Sequence, residues 1–89
     1  MFNVWFKKKV GNSVKLMPKA HALRFRKLLI DLEQMGPILS DWPNYGVLQG
    51  TNTHHCHLSR KWIACWVEKQ QGIEIEVIYA GSRESAPYA

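Results

Sequence analysis

The run IEIEVIYA, residues 73–80, alternates apolar and acidic side chains with a period of two. That period belongs to a strand with one face buried and the other turned to water. Gln70, Gln71 and Gly72 precede it as a hairpin turn, and KWIACWVEK, residues 61–69, precedes the turn as a second apolar run. A further strand run extends from Leu48 to Leu58 and joins the second through a tight turn near Ser59–Arg60. The second half of the chain is therefore constrained to a three-stranded antiparallel meander. Such a sheet needs another layer to bury its apolar face.

The first half supplies that layer. Ala22, Phe25, Leu28, Leu29, Leu32 and Met35 recur at the three-and-four spacing of one helical stripe, so residues 18–35 read as a helix. Pro18 suits its first turn, and Gly36 with Pro37 ends it. Arg24, Arg26, Lys27 and Asp31 largely take the opposite side. Before this helix, FNVWF at residues 2–6 is aromatic and β-branched and reads as a short strand. Residues 7–16, Lys-rich and interrupted by Gly11, read as a short weak helix. The connection PILSDWPNYG, residues 37–46, is full of turn residues, with Trp42 and Tyr45 placed to pin it to the core. The expected fold is α+β: an N-terminal strand, one or two helices, then the meander, which completes a four-stranded sheet with the helices on one face. At 89 residues the chain is a single domain, 1–89, and buries only about 60–65 % of the surface of its unfolded form.

Charge is distributed unevenly. Residues 1–30 carry eight bases (Lys7, Lys8, Lys9, Lys15, Lys19, Arg24, Arg26 and Lys27), and all seven acids lie after residue 30. A solvated basic face accounts for this as simply as a polyanionic partner such as nucleic acid does. No segment approaches the roughly 18 apolar residues that span a bilayer, so no membrane partner is expected. The N-terminus MFNVWFKKK runs apolar first and basic second, the reverse of a secretory signal. The cytoplasm is the expected compartment, with Cys56 and Cys65 as reduced thiols.

The stretch HHCHLSRKWIACW, His54 to Trp66, holds the candidate chemistry. Alternation sends His54, Cys56 and Leu58 to one side of a strand, and His55 and His57 to the other. Cys56 and Leu58 are the more apolar pair, so their side is the expected core and His55 and His57 face outward. The same divergence argues against zinc, whose structural sites need about four converging ligands. Two outward histidines can be idle surface groups. Arg60 and Lys61 just beyond the turn change their meaning: imidazole exchanges a proton near neutrality, and Arg or Lys stabilises charge developing on phosphate. These are the components for cleaving a phosphodiester without a metal. Trp62 and Trp66 share one face of the next strand; burial there, or stacking on a base, are their two readings.

The stretches GPILSDWPNY (36–45), HCHL (55–58), WIACW (62–66) and above all IEVIYAGSRESAPY (75–88) follow one another in the element order of the RelE/ParE superfamily of bacterial toxins, and the chain resembles its RelE-like branch from the first strand to the C-terminus. The Gly-x-Arg-Glu step at Gly81–Glu84 and the closing Tyr88 are the more specific marks. The resemblance implies one RelE-like toxin domain that acts as an mRNA endoribonuclease, ribosome-dependent and metal-independent, with no cofactor. It would cut in the ribosomal A site and so inhibit translation. The products would be a 2′,3′-cyclic phosphate or 3′-phosphate and a 5′-hydroxyl. Carried over by position, two basic residues of the second strand fall on His55 and His57, where RelE has lysines, which leaves the identity of the general base open. An arginine early in the third strand falls on Arg60 or Lys61. The arginine of the Gly-x-Arg-Glu step is Arg83, and the terminal catalytic tyrosine is Tyr88, one residue closer to Arg83 than in RelE. The eight bases of residues 1–30 would contact ribosomal RNA, the 16S rRNA of the A site among it. The implied partners are mRNA, the ribosome and a cognate antitoxin with an acidic or amphipathic segment. Two alternatives stand beside this: a ParE-like protein that poisons DNA gyrase without nuclease activity, and an inactive relative that only binds its antitoxin.

Overall fold

Pro18 sets the entry to the longest helix. Its carbonyl accepts hydrogen bonds from the amides of His21 and Ala22 at 2.9 and 3.1 Å, and its missing N–H costs nothing at that position. In the computed structural model, which describes residues 1–87, this helix is α2, Lys19–Met35. It buries Phe25, Leu28 and Leu32, with Ala22 and Leu29 partly covered beside them. Each full burial of such a side chain contributes about 2 kcal/mol. Met35, expected in the same stripe, is 58 % exposed; the 100° step per residue has rotated it to the stripe's rim.

The element order is β1 (Asn3–Phe6), α1 (Lys8–Lys15), α2, β2 (Gly46–Val47), β3 (Thr53–His57), β4 (Trp62–Lys69) and β5 (Glu74–Ser82), with single 3-10 turns at Gln70–Gly72 and Arg83–Ser85. The short helix α1 forms despite Gly11 because Val10, and Met17 just beyond its end, are buried in the common core.

The expected four-stranded sheet has five strands, in the order β1-β5-β4-β3-β2. The sequence shows no break in the run from Leu48 to Leu58. Yet Gly50, at φ +78, admits a left-handed turn that bulkier residues resist. The Thr51 amide and hydroxyl both donate to the Leu48 carbonyl, at 3.0 and 2.8 Å. The chain reverses there, and Gly46 and Val47 pair with His55 and His54 as an extra edge strand. β3, β4 and β5 form the expected antiparallel meander, whereas β1 lies parallel to β5. A parallel neighbour requires a crossover, and the chain makes it through α1 and α2 before returning through β2, β3 and β4. Both helices pack on one face, against Cys56, Leu58, Ala64, Trp66, Ile75, Val77 and Ala80.

The connection after α2 is tied down as expected. The Trp66 indole donates to the Pro37 carbonyl at 2.9 Å, and the Trp42 indole donates to Asp31 at 2.8 Å. Asp31, assigned from its spacing to the solvent side of α2, is instead buried beneath Trp42, with Lys27 at 3.0 Å and the Arg24 guanidinium 4.4 Å above the Trp42 ring. Among the described residues, no helix is long and apolar enough to cross a membrane.

Candidate functional site

Strand period decides where the histidines go. His54, Cys56 and Leu58 are buried on the helix-bearing face, and Trp66 is fully buried beside them, with Trp62 packed at the margin of the same core. Burial is thus the role of both tryptophans. His54 is a structural residue: its Nε2 donates to Glu68 at 2.8 Å, its Nδ1 shares a 2.7 Å hydrogen bond with the Tyr45 hydroxyl, and its ring stacks on Trp66. Burial, then the charge of Glu68, raises the pKa of that phenol.

His55 and His57 project from the opposite face. Their Cα atoms are about 7 Å apart, two residues along one strand. Cross-strand pairing sets their neighbours. His55 lies beside Cys65, which lies beside Tyr79; His57 lies beside Ile63, which lies beside Gly81. The Arg83 amide donates to the Lys61 carbonyl at 2.7 Å, which brings the two residues side by side just beyond the Trp62–Ser82 pair. Arg60 stays in the turn between β3 and β4. Lys61 is thus the backbone neighbour of Arg83, with Arg60 one residue further into the turn. Both Lys61 and Arg83 are exposed, and among the described residues neither has a carboxylate partner.

This face is less bare than the sequence implies. Ile63 and Cys65 are fully buried at its centre, covered by Ile78, Tyr79 and Ala86. The pairing shifts between Cys65 and Trp66, whose partners are Tyr79 and Val77, so Ile78 is the extra residue of a bulge and both Ile78 and Tyr79 turn to this side. The Tyr79 hydroxyl donates to the Ser82 carbonyl at 2.7 Å. Its ring crosses Gly81 so closely that a Cβ there would lie 2.8 Å from the phenolic oxygen. Gly81 is thus required by close approach within β5.

The two imidazoles differ in setting. The His55 ring lies over Gly46, where a Cβ would come within 3.2 Å of Nε2. Burial, and then the charges of His57 and His54, hold its pKa below the ordinary imidazole value. His57 is more open, with the Asn44 amide nitrogen 3.4 Å from its Nε2. Asn44 and Tyr79 are the neighbours that sequence reasoning missed. Asn44 reaches the site through the amide of His57, which donates to the Pro43 carbonyl at 2.8 Å; no spacing rule announces that contact. Tyr79 is hidden by the bulge.

Tyr88 lies outside the described residues. The bases of residues 1–30 are not gathered at this face. Lys19, Arg24, Arg26 and Lys27 belong to α2, on the far side of the sheet, and Arg24 is engaged with Trp42 and the Leu58 carbonyl. Lys7, Lys8, Lys9 and Lys15 lie on α1 or at its start. At the opposite end of the open face charge is neutralised: Lys69 pairs with Glu76 at 2.8 Å and stands 5.3 Å from the centre of the Trp5 ring.

The sequence matches no protein-family model and no curated protein. The fold is nonetheless shared with solved toxins. The archaeal RelE of the RelE–RelB complex from Pyrococcus horikoshii superposes with a TM-score of 0.79 at 22 % identity, over 96 % of this chain and 98 % of that one. A chain of the Escherichia coli DinJ–YafQ toxin–antitoxin complex gives 0.75 at 17 % identity over 97 % of both chains. The isolated E. coli RelE toxin gives 0.73 at 13 % identity, over 99 % of this chain and 90 % of that one. The expected RelE-like α+β fold is the fold observed.

Proposed function

We propose that this protein is a RelE-like toxin of a toxin–antitoxin pair and a metal-independent endoribonuclease that cuts mRNA in the ribosomal A site. The observation that carries this is the strand pairing, which sets His55 and His57 on the sheet face opposite the helices and brings Lys61 beside Arg83, two residues from Ile63 and Gly81. The structural neighbours support the toxin assignment, and the solved RelE–RelB and DinJ–YafQ complexes support a cognate antitoxin as partner.

An imidazole kept neutral accepts the proton of a ribose 2′-hydroxyl. The lowered pKa of His55 favours it for that task. The 2′-oxygen then bonds to phosphorus while the bond from phosphorus to the 5′-oxygen breaks. Lys61 and Arg83 hold the non-bridging oxygens, where charge develops, and Arg83 offers a paired set of donors. The departing 5′-oxygen takes a proton from His57 or Tyr88, leaving a 2′,3′-cyclic phosphate and a 5′-hydroxyl. Lys19 and Arg26 of α2, exposed on the far side of the sheet, would meet ribosomal RNA while mRNA occupies the open face.

Induced expression in bacteria, with RNA 5′ ends mapped at nucleotide resolution, tests this. The wild type should arrest growth and generate new 5′ ends within codons. Loss of a general acid–base group or a phosphate-binding cation removes about 100-fold or more of the rate, so His55→Ala, His57→Ala and Arg83→Ala should cut far less. Variants that all arrest growth like the wild type would rule the assignment out. DNA-damage signalling without RNA cuts would point to a gyrase poison.

A further inference from the structure

The outer edge of β5 is incompletely covered. β1 pairs with β5 only from Asn3↔Glu74 to Phe6↔Val77, and among the described residues no strand follows on that side of residues 78–82. Helix α1 stands beside this edge instead. Between them lies a cavity of about 220 Å³ lined by Lys9, Val10, Ser13, Ile78, Tyr79 and Ala80. Tyr79 belongs to two places at once. It lines this cavity, and it packs on Ile63, Cys65 and Ala86 at the centre of the open face. The bulge at Ile78 makes that possible, and the hydrogen bond to Ser82 fixes the ring.

We propose that the cavity between α1 and β5 receives a nucleobase of single-stranded RNA, Tyr79 forming the wall on which it stacks and Lys9 meeting the adjoining phosphate. This rests on the nuclease function proposed above, since the same strand would continue onto His55, His57, Lys61 and Arg83. Extended chain places Tyr79 about 13 Å from Arg83, so one strand of RNA can engage both. The lining suits the ligand. Val10, Ile78 and Ala80 give an apolar floor for a flat ring, and aromatic side chains bind single-stranded bases regardless of sequence because every base presents a π-face. Lys9 is exposed and, among the described residues, has no carboxylate partner. The Ser13 hydroxyl donates to the Lys9 carbonyl at 3.1 Å, which leaves its oxygen able to accept from a base N–H. Lys9 is then the base of the N-terminal third that acts at the cleavage site, while those of α2 lie behind the sheet.

A short 2′-O-methyl oligoribonucleotide, which cannot be cut because its 2′-oxygen is blocked, serves as probe in fluorescence anisotropy. One stacked base is worth about 1–3 kcal/mol, a factor of about 5–150 in affinity. Tyr79→Ala should weaken binding by that factor, Lys9→Glu by about 5-fold or more, and Tyr79→Phe, which keeps the ring, by less than about 3-fold. Backbone amides of Lys9, Val10, Ser13 and Ala80 should shift in NMR spectra as the oligonucleotide is added. Should Tyr79→Ala fail to fold, Lys9→Glu at its exposed position and the amide shifts still decide. Wild-type affinity in both Tyr79→Ala and Lys9→Glu, with affinity lost in Arg83→Ala, overturns the subsite and leaves the nuclease face standing. An absence of binding by the wild type overturns the subsite, while the nuclease function is decided separately by the mapped RNA 5′ ends.

Discussion

His55 and His57 share a strand and a face but not an environment. His55 leans on Gly46 and is partly shielded from water, so its protonated form is disfavoured; His57 sits more openly beside Asn44. The sign of the consequence is fixed. A histidine whose folded pKa lies below its ordinary value of 6.5 contributes stability that is present above that value and lost as pH falls through the folded pKa. If the neutral ring of His55 is the general base, kcat/KM should rise with pH along a limb lying below 6.5. The limb should persist in a slow His57→Ala variant and be lost in His55→Ala. A pH–rate profile, with an NMR titration of the His55 ring, checks this; a limb above the ordinary imidazole value would remove His55 as the base. Alternation alone was enough to divide His54 and Cys56 from His55 and His57. It could not show that Lys61, and not Arg60, lies next to Arg83 in the backbone, because that depends on how β4 pairs with β5. Nor could it find Tyr79, because a bulge is set by how strands fit together and leaves no mark in a pattern of apolar and polar letters.

At the scale of elements, α2 and the connection that follows it are held by one buried carboxylate. Burial opposes ionisation of Asp31, but hydrogen bonds from Trp42 and Lys27 and the charges of Lys27 and Arg24 outweigh it, so its pKa lies below the ordinary 3.8. Its contribution to stability is therefore present above that value and is lost as pH falls through the folded pKa. Trp42→Phe keeps most of the ring but leaves a buried carboxylate without its indole donor, and should cost about 1.5–3 kcal/mol in urea unfolding at neutral pH. Asp31→Asn should flatten the fall in stability between about pH 5 and about pH 2. An unchanged acid slope would mean that the carboxylate is not what couples α2 to Trp42. Helix 18–35, both hairpin turns and the anchoring roles of Trp42 and Tyr45 were legible because each rests on local pattern or on turn chemistry. The β2–β3 hairpin was not, since Gly46 and Val47 are too few to show a period and the turn at Gly50 lies inside what reads as one strand. Asp31 was misplaced for a related reason: its partner Trp42 is eleven residues away, in a connection whose path no periodicity describes.

Across the whole molecule the sheet separates two environments, and its two cysteines report on them independently. Cys56 lies under the helices; Cys65 lies on the other face, beneath Ala86 of the C-terminal segment. Both are fully buried and free, and burial pushes each thiol up to about 12. Since the thiolate is the reactive form, neither should react with an aromatic disulfide reagent in the native protein at neutral pH, and both should react once the chain is unfolded. Ala86 is also the contact that lays the segment after Arg83 back over the open face. Ala86→Asp puts a carboxylate against Ile63 and Cys65, where desolvation disfavours it, and the segment should lift. Peptide mapping after timed labelling should then show Cys65 reacting about 10-fold faster or more, with Cys56 unchanged, because local opening has a free energy of its own, lower than that of global unfolding. Equal acceleration at both sites would mean that Ala86 supports the entire fold. Acceleration at Cys65 alone, accompanied by loss of RNA cutting, would tie the working arrangement of Arg83 to a contact on the face that the helices leave uncovered.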